Sequence, residues 1–258
     1  MFTLYAIFVF LFGLIIGSFL NCLIWRLYKE ESINGRSYCP KCRVMIVWYD
    51  NIPLLSFLFL RGRCRKCHQP ISIQYPLVEL AVALLFLLSF HLNFFNAAPL
   101  ALIIRDWLII VTLVIVFVYD FRWQMIPMNV LWPMSALVFI LNIFSGLDWR
   151  WSLIYGLLFA GFFLIQYLLT RKKGLGEGDI WLGLFLGLIF PSVYQLLIII
   201  LVAYCSGSVV GLILLARHKK GWKSKLPLGP FLALGAIIAL IWSLPIINWY
   251  LNLVLGGV

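Results

Sequence analysis

The stretch GLGEGDIWLGLFLGLIF, residues 174–190, decides how this chain is laid out. Glycines alternate with Leu175 and Glu177 up to Asp179, and an apolar run, 180–190, follows. As a helix that run rises about 16 Å, half of a hydrocarbon core about 30 Å thick. Fusing it with the apolar run beyond it would carry the cations at 217–225 to the opposite side of a bilayer from the other cations. A half-length segment with a glycine-rich approach keeps them together. Non-helical backbone at membrane depth is tolerated where it lines a wet cavity or is buried in protein.

Composition places this segment in a membrane protein. Of 258 residues, 64% are hydrophobic and only 11% charged, against roughly 25% in a soluble chain, and the mean hydropathy is +1.04. The expected fold is all-α and polytopic. Spans of about 20 residues fall at 4–27, 76–95, 99–119, 126–144, 151–169, 180–190, 194–216 and 227–249, about eight in all. Residues 1–25 lack a basic front and a small-residue cleavage site, so they read as a retained first span. The domain division is a first helix (1–27), a polar insertion (28–75) and a seven-helix membrane domain (76–258).

The formal charge of +11 first suggests an anionic partner. Sorted over the expected spans, every Lys and Arg but Arg105 and Arg150 falls on one side. By the positive-inside bias that side is cytoplasmic. The insertion is therefore expected in the cytoplasm and both termini outside, with membrane lipid and no nucleic acid as the explanation of the charge.

The insertion holds Cys39-Pro40-Lys41-Cys42 and Cys64-Arg65-Lys66-Cys67, two CxxC pairs with 21 residues between them. Four thiolates in two knuckles suit tetrahedral zinc. Arg63, Arg65 and Lys66 are expected to favour the thiolate form. A pair of redox-active CxxC motifs is the other reading, which a cytoplasmic setting disfavours. An insertion this small has little core of its own, so a structural metal would contribute to its folding. His68 reads as a surface residue, and Cys22 and Cys205 as small buried residues.

Only nine carboxylates occur. Glu30, Glu31 and Asp50 belong to the insertion, where they read as solvated. Asp148 lies beside Arg150 and Asp106 beside Arg105, near the outer face. Glu79 lies in the first turns of a helix opened by Pro76 and reads as structural. Asp120 and Asp179 are expected at the same cytoplasmic depth on separate elements, where ionisable groups are functional candidates by default. Two close carboxylates do not ionise together easily and share one proton. One then acts as base on water, the other as acid toward the scissile carbonyl and leaving amine. Asp120 ends one helix and Asp179 begins another, so the dipoles favour Asp179 as the ionised base. On these residues alone a membrane aspartic hydrolase and a proton-coupled transporter both remain open.

Beyond the aspartates, Gly17-Ser18-Phe19-Leu20-Asn21 with Arg26-Leu27 resembles the opening motif of the bacterial prepilin peptidases, the type IV leader peptidases. The block from Cys39 through Trp48-Tyr49-Asp50-Asn51-Ile52-Pro53, the second CxxC and Tyr75-Pro76-Leu77-Val78-Glu79-Leu80 is similar to that family throughout. Tyr119-Asp120 with Ile126-Pro127, Gly176-Glu177-Gly178-Asp179, and Lys225-Leu226-Pro227-Leu228-Gly229-Pro230 resemble three further motifs, so the likeness covers nearly the whole chain. It implies an eight-span bacterial inner-membrane enzyme that cleaves the basic leader from type IV prepilins and type II secretion pseudopilins. It also implies N-methylation of the new N-terminal residue with S-adenosylmethionine. Asp120 and Asp179 would be catalytic, and Cys39, Cys42, Cys64 and Cys67 the zinc ligands. No signature such as GxGxxG marks a methyl-donor site, and the sequence carries no signal of oligomeric state. The chain departs from the family at Met128 (commonly Asp), Trp181 (commonly Lys) and His68-Gln69 (commonly Gly). An inactive zinc-containing membrane scaffold is the alternative these departures leave, and a membrane thiol-disulfide enzyme is a third reading.

Overall fold

The computed structural model describes residues 2–171, 174–217 and 226–255. Lys172, Lys173, Lys219, Lys220, Lys223 and Lys225, which entered the charge argument, lie outside the described residues. Those described form helices α1 (Phe2–Lys29), α2 (Leu55–Phe59), α3 (Gln74–Phe95), α4 (Leu100–Trp123) and α5 (Met128–Phe144), then α6 (Trp149–Leu169), α7 (Glu177–Ile189), α8 (Val193–Ala216) and α9 (Gly229–Leu255). No strand longer than an isolated bridge occurs among them. Helices α1, α3, α4, α6, α8 and α9 are long and apolar enough to cross a membrane, and α5 is a shorter apolar helix. The protein is thus an all-helical, multi-pass membrane protein. Large side chains such as Leu197, Leu201 and Leu212 on α8 are exposed, which suits a surface facing lipid rather than water.

The chain forms two compact units, one up to Ala97 and one from Ala98 on. In the first, α1 and α3 run antiparallel: the Phe2 ring meets those of Phe90, Phe94 and Phe95 at one end, and the Asn21 amide meets the Tyr75 carbonyl at the other. Lipid offers no hydrophobic drive for helices to associate, so close backbone packing must hold them. Gly13 and Gly17, four residues apart, provide it. A Cβ on either would come within 2.6 Å of a backbone Cα of α3, at Ala83 or Glu79. Where α1 leads into the insertion, the buried Arg26 guanidinium gathers the carbonyls of Ile33, Gly35 and Arg36.

In the second unit successive helices alternate in direction, and two polar clusters mark its two ends. At one end Arg105 of α4 reaches the C-terminus of α7: its guanidinium donates to the Ile189 carbonyl at 2.7 Å and to Asn142 Oδ1 at 2.5 Å. Asn142 in turn donates to the Leu188 carbonyl at 2.9 Å. The Arg105–Asp106 pair expected from the sequence is present at 3.2 Å, and the same guanidinium also reaches α5 and α7. The other end gathers the C-terminus of α4 and the N-termini of α5, α7 and α9, and it carries both Asp120 and Asp179. Helix α7 is about 20 Å long, longer than the half-span expected but still too short for a hydrocarbon core about 30 Å thick. Its helix starts at Glu177, three residues earlier than the apolar run suggested, because the carboxylates of its first turn complete the helix N-terminus.

Candidate active site and metal centre

Asp120 and Asp179 are 5% and 8% exposed. Asp179 is the third residue of α7, and its Oδ2 accepts the backbone N–H of Gly176 at 3.0 Å, one half of a capping box. Gly178 beside it packs against Ile126, where a Cβ would come within 3.0 Å of the isoleucine side chain. That contact brings the Ile126-Pro127 turn, six residues past Asp120, onto the start of α7. Asp120 lies in the last turn of α4, whose C-terminus is closed by Gln124 in the left-handed region, its N–H donating to the Asp120 carbonyl at 2.9 Å. The charge of Asp179 acts on the Asp120 carboxyl.

One feature of this pair was not read from the sequence. Asp120 Oδ2 accepts the backbone N–H of Gly229 at 2.9 Å, and Gly229 is the first residue of α9. Asp120 therefore meets the positive pole of α9 as well as the negative pole of its own helix. Each aspartate takes one helix N-terminal amide, which narrows the dipole difference between them, but only Asp120 also faces a helix C-terminus. The only sequence signal was the motif Leu226-Pro227-Leu228-Gly229-Pro230, whose proline at the second helical position stamps a helix start.

Two tyrosine hydroxyls link neighbouring helices near this end. Tyr167 donates to Glu177 at 2.6 Å, and Tyr204 of α8 donates to Gln166 of α6 at 2.6 Å. The two departures near the aspartates are apolar substitutions that the structure absorbs. Met128 opens α5 and packs on the core, and Trp181 lies against Trp132 with ring centroids 4.3 Å apart.

In the first unit the Sγ atoms of Cys39, Cys42, Cys64 and Cys67 all lie within 4.8 Å of one another and are able to hold a metal ion. Cys39 and Cys67 Sγ are 3.9 Å apart, and a zinc tetrahedron with Zn–S near 2.3 Å has S–S edges of about 3.8 Å. The knuckles share one hydrogen-bond pattern: Cys39 N–H to Val44 O and Arg43 N–H to Cys39 O in the first, Cys64 N–H to Gln69 O and His68 N–H to Cys64 O in the second. Arg43 and His68 both have φ near +55°, the conformation that makes glycine common at this place. His68 is exposed, as expected. The Cys64 thiol is pulled down to about 7, first by the backbone N–H of Cys67 and further by that of Lys66, while Cys67, against the pull of the Gln69 backbone, is pushed up to about 11 by burial and the neighbouring thiols. At Cys64 amides rather than cationic side chains favour the thiolate.

Two expectations for isolated residues change. Asp50 is not freely solvated: Arg65 binds it in bidentate fashion at 2.8 and 2.6 Å, tying the second knuckle to the 3-10 turn Trp48–Asn51. Cys205 is exposed on α8 and Cys22 is half-buried, because their helix faces look partly outward.

That 3-10 turn leads to Leu54, which has φ 60° and ψ −50°, while Leu55 N–H donates to Pro53 O at 2.6 Å. This is a three-residue γ-turn of the rare, strained hand, costing about 1–3 kcal/mol. Glu79, 7% exposed, holds it by accepting the Leu54 N–H at 2.8 Å and also accepts from the Ser18 hydroxyl. Asn21, 3% exposed, donates to Gly17 O and Tyr75 O, and its buried Oδ1 has no partner among the described residues.

Comparison with known proteins places these features in a family. A profile described as the bacterial Peptidase A24 N-terminal domain matches residues 11–93, and one described as the type IV leader peptidase family matches residues 107–212. A prepilin leader peptidase/N-methyltransferase of Legionella pneumophila is 34% identical, covering 94% of this chain and 93% of its own. One from Aeromonas hydrophila is 34% identical over 96% of this chain and 94% of its own, and one from Klebsiella pneumoniae 37% identical over 70% and 86%. No solved structure matches the chain.

Proposed function

The chain belongs to the type IV leader peptidase family, and on that premise we propose that it is a bacterial inner-membrane aspartic endopeptidase and N-methyltransferase. Its substrates are type IV prepilins and pseudopilins, cleaved after their basic leaders at the cytoplasmic face. The observation that carries the reading is the pair Asp120 and Asp179: two buried carboxylates at one end of a helix bundle, each fixed by a backbone N–H. A carboxylate with one oxygen so anchored keeps its orientation while the other oxygen handles a proton. One aspartate takes a proton from water, which attacks the scissile carbonyl; the other donates its proton to the leaving amine. The helix poles favour Asp179 as the base and Asp120, which also faces the negative pole of its own helix, as the acid.

The four-cysteine cluster supports structural zinc, because its S–S separation matches a thiolate tetrahedron. Zinc bound there would fix the two knuckles and so the insertion. The methyl donor would be S-adenosylmethionine, which supplies an electrophilic methyl group. Glu79 and the free Asn21 Oδ1, acceptors without a neighbouring cation, suit the positively charged partners of such a transfer. We divide the work among residues 1–27 as a first membrane helix, 28–75 as a cytoplasmic zinc domain and 76–258 as the membrane catalytic domain. Both termini then face out.

The test is reconstitution with a synthetic prepilin, following leader release and the mass of the mature amine. Wild type is expected to cleave, to add one methyl group when the donor is present, and to carry one zinc per chain by emission spectrometry. Asp120→Asn and Asp179→Asn should each slow cleavage about 10³-fold. Asparagine variants as fast as wild type would remove the dyad from the mechanism. Failure of the wild type to cleave would favour a scaffold.

A further inference from the structure

Three stretches of the first unit converge on one buried carboxyl that leader cleavage does not use. Helix α1 brings Gly17, Ser18 and Asn21, the strained turn brings the Leu54 N–H, and α3 brings Glu79 itself. We propose that Glu79 is the proton acceptor of the methyl-transfer reaction and that, with Asn21 Oδ1, it binds the primary ammonium of the newly cleaved substrate. The proposal rests on the N-methyltransferase half of the functional reading.

Three observations carry it. The groups acting on Glu79 are the neutral donors Leu54 N–H and Ser18 O–H, with no charged or titratable side chain from α1 or from the turn among them. A buried carboxyl left without a cation is a site for one. Asn21 Oδ1, one helical turn from Gly17, which packs directly on Glu79, is a second acceptor lacking a donor. An ammonium brings three N–H donors and one positive charge, the complement of what is missing. Finally, glutamine would satisfy Leu54 and Ser18 as well as glutamate does, so those hydrogen bonds alone do not require an ionisable group.

The chemistry balances simply. The substrate's R–NH3+ gives one proton to the Glu79 carboxylate, leaving R–NH2 and a carboxylic acid. The nitrogen lone pair then forms the N–C bond to the methyl of a sulfonium donor as the S–C bond breaks. Its electron pair stays on sulfur, giving a neutral thioether and R–NH2+–CH3. The acid returns its proton to solvent before the next turnover.

The experiment compares wild type, Glu79→Gln and Glu79→Asp in three measurements. Glu79→Gln should cleave prepilin like wild type, through the aspartates of the other unit, yet methylate about 10²-fold more slowly at pH 7. That deficit should shrink about tenfold by pH 9, where an amine of pKa near 8 is already free. Glu79→Asp should recover part of the rate. Without any donor, wild type should bind a mature pilin N-terminal peptide with a free amine about tenfold tighter than its N-acetylated twin, and Glu79→Gln should bind both alike. Four results would overturn the proposal: wild-type methylation by Glu79→Gln, a deficit independent of pH, no preference for the free amine, or joint loss of cleavage and methylation with a lowered melting temperature. A wild type that cleaves but never methylates would instead defeat the methyltransferase reading, and this proposal with it.

Discussion

Asp120 is oriented by a residue more than a hundred positions away in the chain. The Gly229 N–H reaches its Oδ2, and the absence of a side chain at Gly229 makes room for that approach: an added Cβ would sit 2.6 Å from the same oxygen. Gly229→Ala must therefore displace either the carboxylate or the first turn of α9. Misplacement of a catalytic group by an ångström costs up to about 10²-fold in rate. We expect leader release to fall by about 10- to 100-fold while methylation of an already cleaved peptide continues at the wild-type rate. Timed cleavage assays of both substrates check this, and unchanged leader release would show that the Gly229 contact does not matter. At this scale the aspartates were legible because acids are scarce and these two fall at membrane depth. Gly229 was not, since a glycine carries no chemistry until the element facing it is known. Asn21 was legible only as part of a motif, for a similar reason: its unpartnered oxygen is a property of packing.

A half-length helix poses a problem that a full span does not. Both its ends, with their unpaired N–H and C=O groups, fall where water is scarce. At the start of α7 the Gly176 N–H meets the carboxylate of Asp179 itself. The C-terminal carbonyls of Leu188 and Ile189 are taken by Asn142 and Arg105, both buried. The cation also complements the negative pole of α7. Arg105 thereby fixes one end of the element whose other end bears Asp179. Arg105→Ala would leave the Ile189 carbonyl and the Asn142 Oδ1 without their partner, and Asp106 without its cation. We expect a loss of about 3–5 kcal/mol, read as a lowered unfolding midpoint in detergent. Arg105→Lys should recover only part, because a single ammonium lacks the fork that meets three acceptors. A midpoint unchanged in Arg105→Ala would separate this cluster from the stability of α7. The sequence disclosed the length of the segment but not the device that permits it, because Asn142 and Arg105 come from two other helices.

Across the molecule, the alternation of apolar runs and charged turns made the helices legible, and the two CxxC spacings made the cysteine cluster legible. Their boundaries moved by a few residues where polar first and last turns, as at Glu177 and Trp123, still take helical form. The grouping of helices was less visible: contacts such as Gly17 on Glu79 depend on small residues whose partners the sequence does not name. Charge offers the strongest whole-molecule argument still open to test. In the second unit Arg122 lies in the last turn of α4, and Arg171 and Arg217 follow α6 and α8, at the end that carries the two aspartates, whereas Arg105 and Arg150 belong to the opposite end. By the positive-inside bias the aspartate end is expected in the cytoplasm. A cytoplasmic leader requires the same, since its own basic residues are held inside by that bias. Alkaline phosphatase, active only outside the cytoplasm, should therefore be active when fused after Gly146 and inactive when fused after Arg171, and a fluorescent protein that folds only inside should give the reverse. These two points differ by the crossing of α6 alone. The opposite pattern would invert the molecule and take the aspartates away from a cytoplasmic leader, and equal signals at both points would mean that α6 does not cross.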